Sequence, residues 1–71
     1  MSNALDAALL KAHLRQDLAA LIGLYTEAAD TVKDLDAECF FLTHAYIFAL
    51  DLGDQRSKLL HQRLVKHGRE A

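Results

Sequence analysis

The amino-acid sequence predicts an all-α fold, and three observations support this prediction. The 71 residues include no proline and only three glycines, so few positions can interrupt regular structure. Apolar residues recur in steps of three and four, as on one face of a helix, and no segment shows the alternation of a half-buried strand. Apolar residues make up 52% of the chain and charged residues 25%, which is typical of a globular domain. We therefore expect one domain over residues 1–71, an antiparallel array of three helices.

The first helix is predicted over about 3–33, either as one long helix or as two in line. Its apolar positions follow the helical period. They are Leu10, Leu14, Leu18, Leu21, Ile22, Tyr25, Ala29 and Val32. Gly23 lies inside this pattern and costs about 1 kcal/mol relative to alanine in a helix interior. The glycine therefore either allows close backbone packing or bends the helix, and we favour close packing.

The second helix is predicted over about 36–52. Asp34 or Asp36 can cap its first turn, and Gly53 suits the left-handed position that follows many helix ends. Twelve of the sixteen residues from 37 to 52 are apolar, which is typical of a central helix that packs on two sides. The side chains expected in the internal core are those of Leu42, Ala45, Ala49 and Leu52.

The third helix is predicted over about 55–67, with Asp54 as its N-cap and Gly68 just beyond its end. Its narrow apolar stripe consists of Leu59, Leu60, Leu64 and Val65. Basic side chains lie near its C-terminal end, where they oppose the negative end of the helix dipole. Short connections make successive helices antiparallel.

The segment from Leu42 to Asp54 resembles the first helix and turn of a tetratricopeptide repeat, in which a helix of large and small apolar residues ends in a Gly-Asp turn. Leu18, Leu21, Ile22 and Tyr25 also have the spacing of that family's first helix. The chain is thus similar to a degenerate repeat, with a helical hairpin over about 18–52 and one further helix, and to small bacterial helical proteins of repeat type. The resemblance implies protein–protein interaction and no catalysis.

Repeat proteins also suggest why a second copy is needed. Each unit buries its apolar face only against its neighbours, and about three units are usually needed for stability. This chain is long enough for about one and a half. A chain of this length buries only about 60% of its unfolded surface. We therefore expect a homodimer with a two-fold axis.

One ridge of the second helix is the predicted interface with a protein partner or a second copy. Its members are spaced i, i+3, i+4, i+7 and i+11. They are Phe40, Thr43, His44, Ile47 and Asp51. An exposed apolar patch of this kind marks an interface, and Tyr25 of the first helix is expected to support it. The alternatives are that the first or third helix covers Phe40 and Ile47, or that the ridge lines a small-molecule pocket.

The charges are unevenly distributed, which suggests two further uses. Residues 1–53 carry three basic and eight acidic side chains, whereas residues 54–71 carry five basic and two acidic ones. The basic end is an alternative nucleic-acid surface, with contacts from Arg56, Arg63, Lys66 and Arg69. A solvated helix is the favoured interpretation, because no aromatic residues are interspersed. The acidic segment, from Glu27 to Glu38, can also attract the basic helix of another subunit.

No pattern in the sequence predicts catalysis or a cofactor, because there is no Ser-His-Asp grouping and no glycine-rich phosphate loop. His13 and Asp17 are spaced i, i+4, but no further ligands complete a metal site. Cys39 is interpreted as a small buried apolar residue. The start of the chain lacks signal-peptide features and no apolar run reaches the ~18 residues of a membrane span. The cytoplasm is therefore the expected location.

Overall fold

The computed structural model describes residues 3–69 and shows an all-helical chain. The four helices in this range are α1 (Asn3–Leu14), α2 (Leu18–Thr31), α3 (Leu35–Leu52) and α4 (Arg56–Lys66). The all-α prediction is confirmed, whereas the expected number of three helices is wrong. No helix between residues 3 and 69 has both the length and the apolar character needed to cross a membrane.

The additional helix arises because the segment predicted as one helix over about 3–33 turns before α2. The Asp17 amide donates to the Ala12 carbonyl at 2.9 Å and the Gln16 amide donates to the His13 carbonyl at 3.1 Å. These two hydrogen bonds define a Schellman motif, which needs one left-handed residue. Gln16 occupies that position, with a φ of 54°.

The α1–α2 turn carries little sequence signal. A glycine normally supplies the left-handed residue at a helix end, and none is present here. The apolar residues Leu14 and Leu18 keep the helical spacing across the turn, so the period does not show a break. The one local sign is Asp17, whose carboxylate caps α2 by accepting from the Ala20 amide at 3.1 Å.

Gly23 lies in the interior of α2, which continues through it without a break. The residue is exposed. The nearest atom outside its own helix to a Cβ at this position is Arg56 Nη1, at 3.7 Å. The favoured interpretation, close backbone packing at Gly23, is therefore wrong.

The ends of α3 follow their predicted signals. The Asp34 carboxylate caps α3 by accepting from the Ala37 amide at 2.9 Å. Gly53 ends α3 in the left-handed conformation, with a φ of 73°. The Asp54 carboxylate accepts from the Arg56 amide at 2.8 Å, but the N-cap position of α4 is Gln55, whose side chain makes no capping hydrogen bond. The prediction of Asp54 as the N-cap is therefore wrong by one residue.

The helices pack in chain order, with α3 between α2 and α4, and α1 packing mainly on α2. The Cα atoms span 32 × 29 × 12 Å, which makes the fold a thin slab. Its core is a single apolar cluster. The cluster consists of Ile22, Ala29, Cys39, Leu42, Ala45, Ala49, Leu60 and Leu64. A slab this thin has little interior, so many apolar side chains reach its surface.

Several side chains expected on the apolar faces are exposed instead. Leu52 was expected in the core and is 46% exposed, and Leu10 and Leu14 of α1 are 61% and 76% exposed. Leu59 and Val65 of α4 are also exposed, because only Leu60 and Leu64 face α3. Four helices that pack mainly on their chain neighbours cannot cover every apolar face.

Gly23→Ala should stabilise the fold by about 1 kcal/mol, because alanine is the better residue in a helix interior and the added Cβ meets only an ordinary contact at 3.7 Å. Gly53→Ala is the matched control. Its backbone φ of 73° suits glycine alone, so this variant should lose about 1 kcal/mol or more. Urea denaturation measures both changes. Equal effects of the two substitutions would contradict this account of the glycines.

Candidate functional site

The outward face of α3 carries an apolar surface that no other helix covers. Phe40 is 57% exposed and Ile47 is 49% exposed. Thr43 and Asp51 are exposed between and beside them, and His44 is half-buried. We call these five residues the α3 ridge. Within residues 3–69, neither the first helix nor the last covers Phe40 and Ile47.

The polar side chains in the middle of the α3 ridge have partners within the helix itself. Thr43 Oγ1 donates to the Cys39 carbonyl at 2.8 Å. His44 Nδ1 lies 2.9 Å from the Phe40 carbonyl, so a proton on Nδ1 makes it the donor. Polar groups that already have a hydrogen bond can be buried at low cost. The middle of the ridge is therefore suited to burial by a partner.

An aromatic cluster fixes one end of the α3 ridge to the neighbouring helices. Its centre is Tyr25 of α2, whose ring stacks on His44 at 5.1 Å and on Phe48 at 5.9 Å. Phe40 packs against His44 with ring centroids 4.5 Å apart. These ring contacts restrict the side chains before any partner binds, which lowers the entropy lost on association. Tyr25 thus contacts the ridge at His44, as expected.

His13 was not predicted as part of this cluster. Its Nε2 atom lies 2.8 Å from Tyr25 Oη, and its ring lies 6.1 Å from that of Phe48. The two bonded residues are twelve positions apart and lie on different helices. The contact depends on the turn between α1 and α2, so only a prediction of that turn could have found it.

A shallow cavity of about 500 Å³ adjoins the ridge at Phe40. It is lined by Phe40, Thr43 and His44 of the ridge and by the neighbouring Asp36, Cys39 and Arg69. Arg69 Nη2 donates to Asp36 Oδ1 at 2.6 Å, and this hydrogen bond raises the pKa of Arg69. The ridge therefore has an apolar middle and a charged border.

Arg63 of α4 and His67, which follows the helix, pair with acidic side chains of the same chain. Arg63 Nη2 lies 2.8 Å from Asp30 and 3.3 Å from Glu38, and His67 Nε2 lies 3.0 Å from the same Glu38 oxygen. The expected attraction of the acidic segment to another subunit's basic helix thus has an intramolecular counterpart. These contacts fix the end of α4 against α2 and α3.

Three of the four candidate nucleic-acid contacts form ion pairs with carboxylates of the same chain. Arg56 pairs with Asp54 at 2.9 Å, and Arg63 and Arg69 pair with the carboxylates named above. Lys66 has no ion pair among residues 3–69. A phosphate backbone would have to compete with these carboxylates.

His13 and Asp17, which have the i, i+4 spacing of a metal-ligand pair, do not lie in one site. His13 binds Tyr25 from α1, whereas Asp17 lies beyond that helix and caps α2. No group of three or more potential ligands occurs within the described part of the chain. Cys39 is a buried free cysteine, so its predicted burial is confirmed.

Comparisons with models of protein families, with curated proteins and with solved structures find no match. The resemblance to a tetratricopeptide repeat stays a prediction. Inference about function therefore depends on the α3 ridge, the aromatic cluster and the ion pairs.

Stability in acid should depend on Asp54. The guanidinium of Arg56, and then its backbone amide, donate to this carboxylate and lower its pKa from 3.8 to about 2. A carboxyl with a lowered pKa in the folded state stabilises the fold above its unfolded pKa and loses this effect as the pH falls through its folded pKa. The difference in unfolding free energy between wild type and Asp54→Asn should thus be full above pH 4 and should shrink towards pH 2.

Urea denaturation across this pH range checks the prediction. Arg56→Gln serves as the companion variant, because it removes the strongest donor to Asp54 and keeps the backbone amide. The pH range over which this variant loses unfolding free energy in acid should lie higher than that of the wild type. A difference between wild type and Asp54→Asn that does not change from pH 5 to pH 2 would contradict the assignment.

Proposed function

We propose that this chain is a small helical protein–protein interaction module without catalytic activity, and that it self-associates through the α3 ridge. The observation that supports the proposal is the exposure of Phe40 and Ile47 beside polar groups that the helix itself satisfies. A second copy can cover this surface in a two-fold dimer, in which each contact occurs twice.

The size of the ridge sets the strength of such a dimer. Full burial of a phenylalanine or isoleucine side chain stabilises by about 1.5–3 kcal/mol. Phe40 and Ile47 are about half exposed, so burying both in each copy contributes about 3–6 kcal/mol. A micromolar dissociation constant needs about 8 kcal/mol. The exposed Leu50, one turn beyond Ile47, should therefore also be covered, and we expect a dimer in the micromolar range or weaker.

Binding of nucleic acid is the alternative function that the sequence raised. The ion pairs of Arg56, Arg63 and Arg69 favour a structural role for these cations over phosphate binding. The cytoplasmic location expected from the sequence also stays a prediction. The self-associating module is the function that the geometry supports best.

Phe40→Glu combined with Ile47→Glu should weaken self-association at least tenfold. Burial of these two residues contributes the main part of the interface, and each new carboxylate would have to be desolvated. Substitution of a central interface residue typically lowers the binding free energy by about 2 kcal/mol or more. Multi-angle light scattering over a concentration series measures the change. At concentrations low enough for both proteins to be monomeric, the thermal midpoint should change little, since both positions are about half exposed in one chain.

Leu59→Glu is the matched control, because Leu59 is 65% exposed but lies on α4, away from the ridge. It should leave the dimerisation constant unchanged. A folded wild type that stays monomeric up to millimolar concentration would contradict the proposal, and so would equal effects of the ridge and control variants.

A further inference from the structure

The turn between α1 and α2 is the one helix end in the described range that places a residue with a side chain in the left-handed region. The same pair of hydrogen bonds ends α3 and α4. At those ends the left-handed residues are Gly53 and Gly68, with φ of 73° and 75°. Gln16 adopts a φ of 54°, and its Cβ makes this conformation unfavourable in a way that glycine avoids. This turn is therefore strained.

The apolar pattern favours a straight helix across the same turn. Leu10, Leu14, Leu18, Leu21 and Tyr25 follow each other in steps of four, four, three and four. In a continuous helix these side chains would share one face. The turn divides that face, because Leu21 is 2% exposed whereas Leu10 and Leu14 remain 61% and 76% exposed.

The α1 helix is also the helix with the fewest anchors. It packs mainly on α2, with one ring contact from His13 to Phe48 of α3, and Ala12 is the one buried residue between residues 4 and 14. The side-chain hydrogen bond that joins it to α2 runs from His13 to Tyr25. Release of α1 therefore disturbs none of the contacts among α2, α3 and α4.

We propose that two copies of this chain exchange α1. In the exchanged form the turn at Arg15–Asp17 straightens, α1 and α2 form one helix, and each α1 packs on the α2 of the other copy. Every α1–α2 contact is then formed again between chains, while the strain at Gln16 is relieved. Short, strained connections are known to favour such exchange.

The geometry of a straightened α1 requires a second copy of the chain as its binding partner. A straightened α1 of 12 residues would extend about 18 Å beyond the start of α2, so it could not fold back on its own chain. Its apolar face would then lie in water. The surface of α2 that α1 has left is complementary to α1, and an opened second copy presents the same surface. This exchange uses no residue of the α3 ridge and adjoins it only through Tyr25, which stacks on His44, so it does not depend on the function proposed above.

The test is a pair of substitutions at one position. Gln16→Gly relieves the strain of the turn and disfavours the helix, whereas Gln16→Ala keeps the strain and favours the helix. An exchanged dimer contains two α1–α2 connections, so the difference in turn strain and the difference in helix propensity each count twice. The dimerisation constants of the two variants should therefore differ by at least about 100-fold. Sedimentation equilibrium measures both constants, and circular dichroism verifies that each variant is folded.

Asp17→Ala removes the cap of α2. This substitution should shift the monomer–dimer equilibrium towards the dimer, in the same direction as Gln16→Ala.

Isotope-filtered nuclear Overhauser measurements show the exchange directly. Labelled and unlabelled wild-type chains are unfolded together, refolded in equal amounts and measured as a dimer. Contacts between the His13 ring of one chain and the Tyr25 ring of the other should be observed. Contacts found only within a chain, or equal dimerisation constants for Gln16→Gly and Gln16→Ala, would overturn the proposal.

The ridge variant Phe40→Glu with Ile47→Glu separates the two proposals. A dimer that is lost in this variant and insensitive to residue 16 would overturn helix exchange and support the ridge. A dimer that survives in this variant and responds to residue 16 would support helix exchange and overturn self-association through the ridge. A monomer in the wild type and in Gln16→Ala would overturn both.

Discussion

Burial of α3 between α2 and α4 is the interaction on which the rest of the structure depends. Ala45 and Ala49 are completely buried in α3, and such small side chains allow neighbouring helices to approach closely. Leu42 of α3 and Leu64 of α4 fill the remaining space. Within residues 3–69, α2 and α4 are the helices that pack extensively on α3, and the side of α3 that faces neither of them is exposed. The exposed ridge is a direct consequence of this packing.

The charged residues orient the helices that the apolar core holds together. Arg63 reaches both Asp30 of α2 and Glu38 of α3, and it therefore connects three helices at one point. Ion pairs that remain partly exposed contribute little stability, because water already solvates both charges. Their main effect here is to fix the direction in which α4 crosses the others. They also neutralise most of the basic surface that the sequence had offered for nucleic acid.

Much of the fold could be predicted from the sequence, since several signals agreed at the same positions. The α3–α4 turn combines Gly53, which tolerates the left-handed conformation, with Asp54, whose carboxylate accepts from the first amide of the next helix. The α3 ridge could be predicted because a helix with apolar residues nearly all round cannot bury every face. The α1–α2 turn could not be predicted, because Gln16 provides no turn signal and the helical period continues across the turn. The His13–Tyr25 contact and the pairing of Arg63 were missed because they join residues far apart in the chain.

We propose that the face of α3 left uncovered by α2 and α4 is the surface that binds a second copy. Nuclear magnetic resonance of aromatic and methyl groups over a concentration series measures this binding at individual residues. The signals of Phe40 and Ile47 should shift together with one dissociation constant, while those of Leu59 should stay in place. Signals of Phe40 and Ile47 that do not change with concentration, or shifts confined to Leu59, would contradict it.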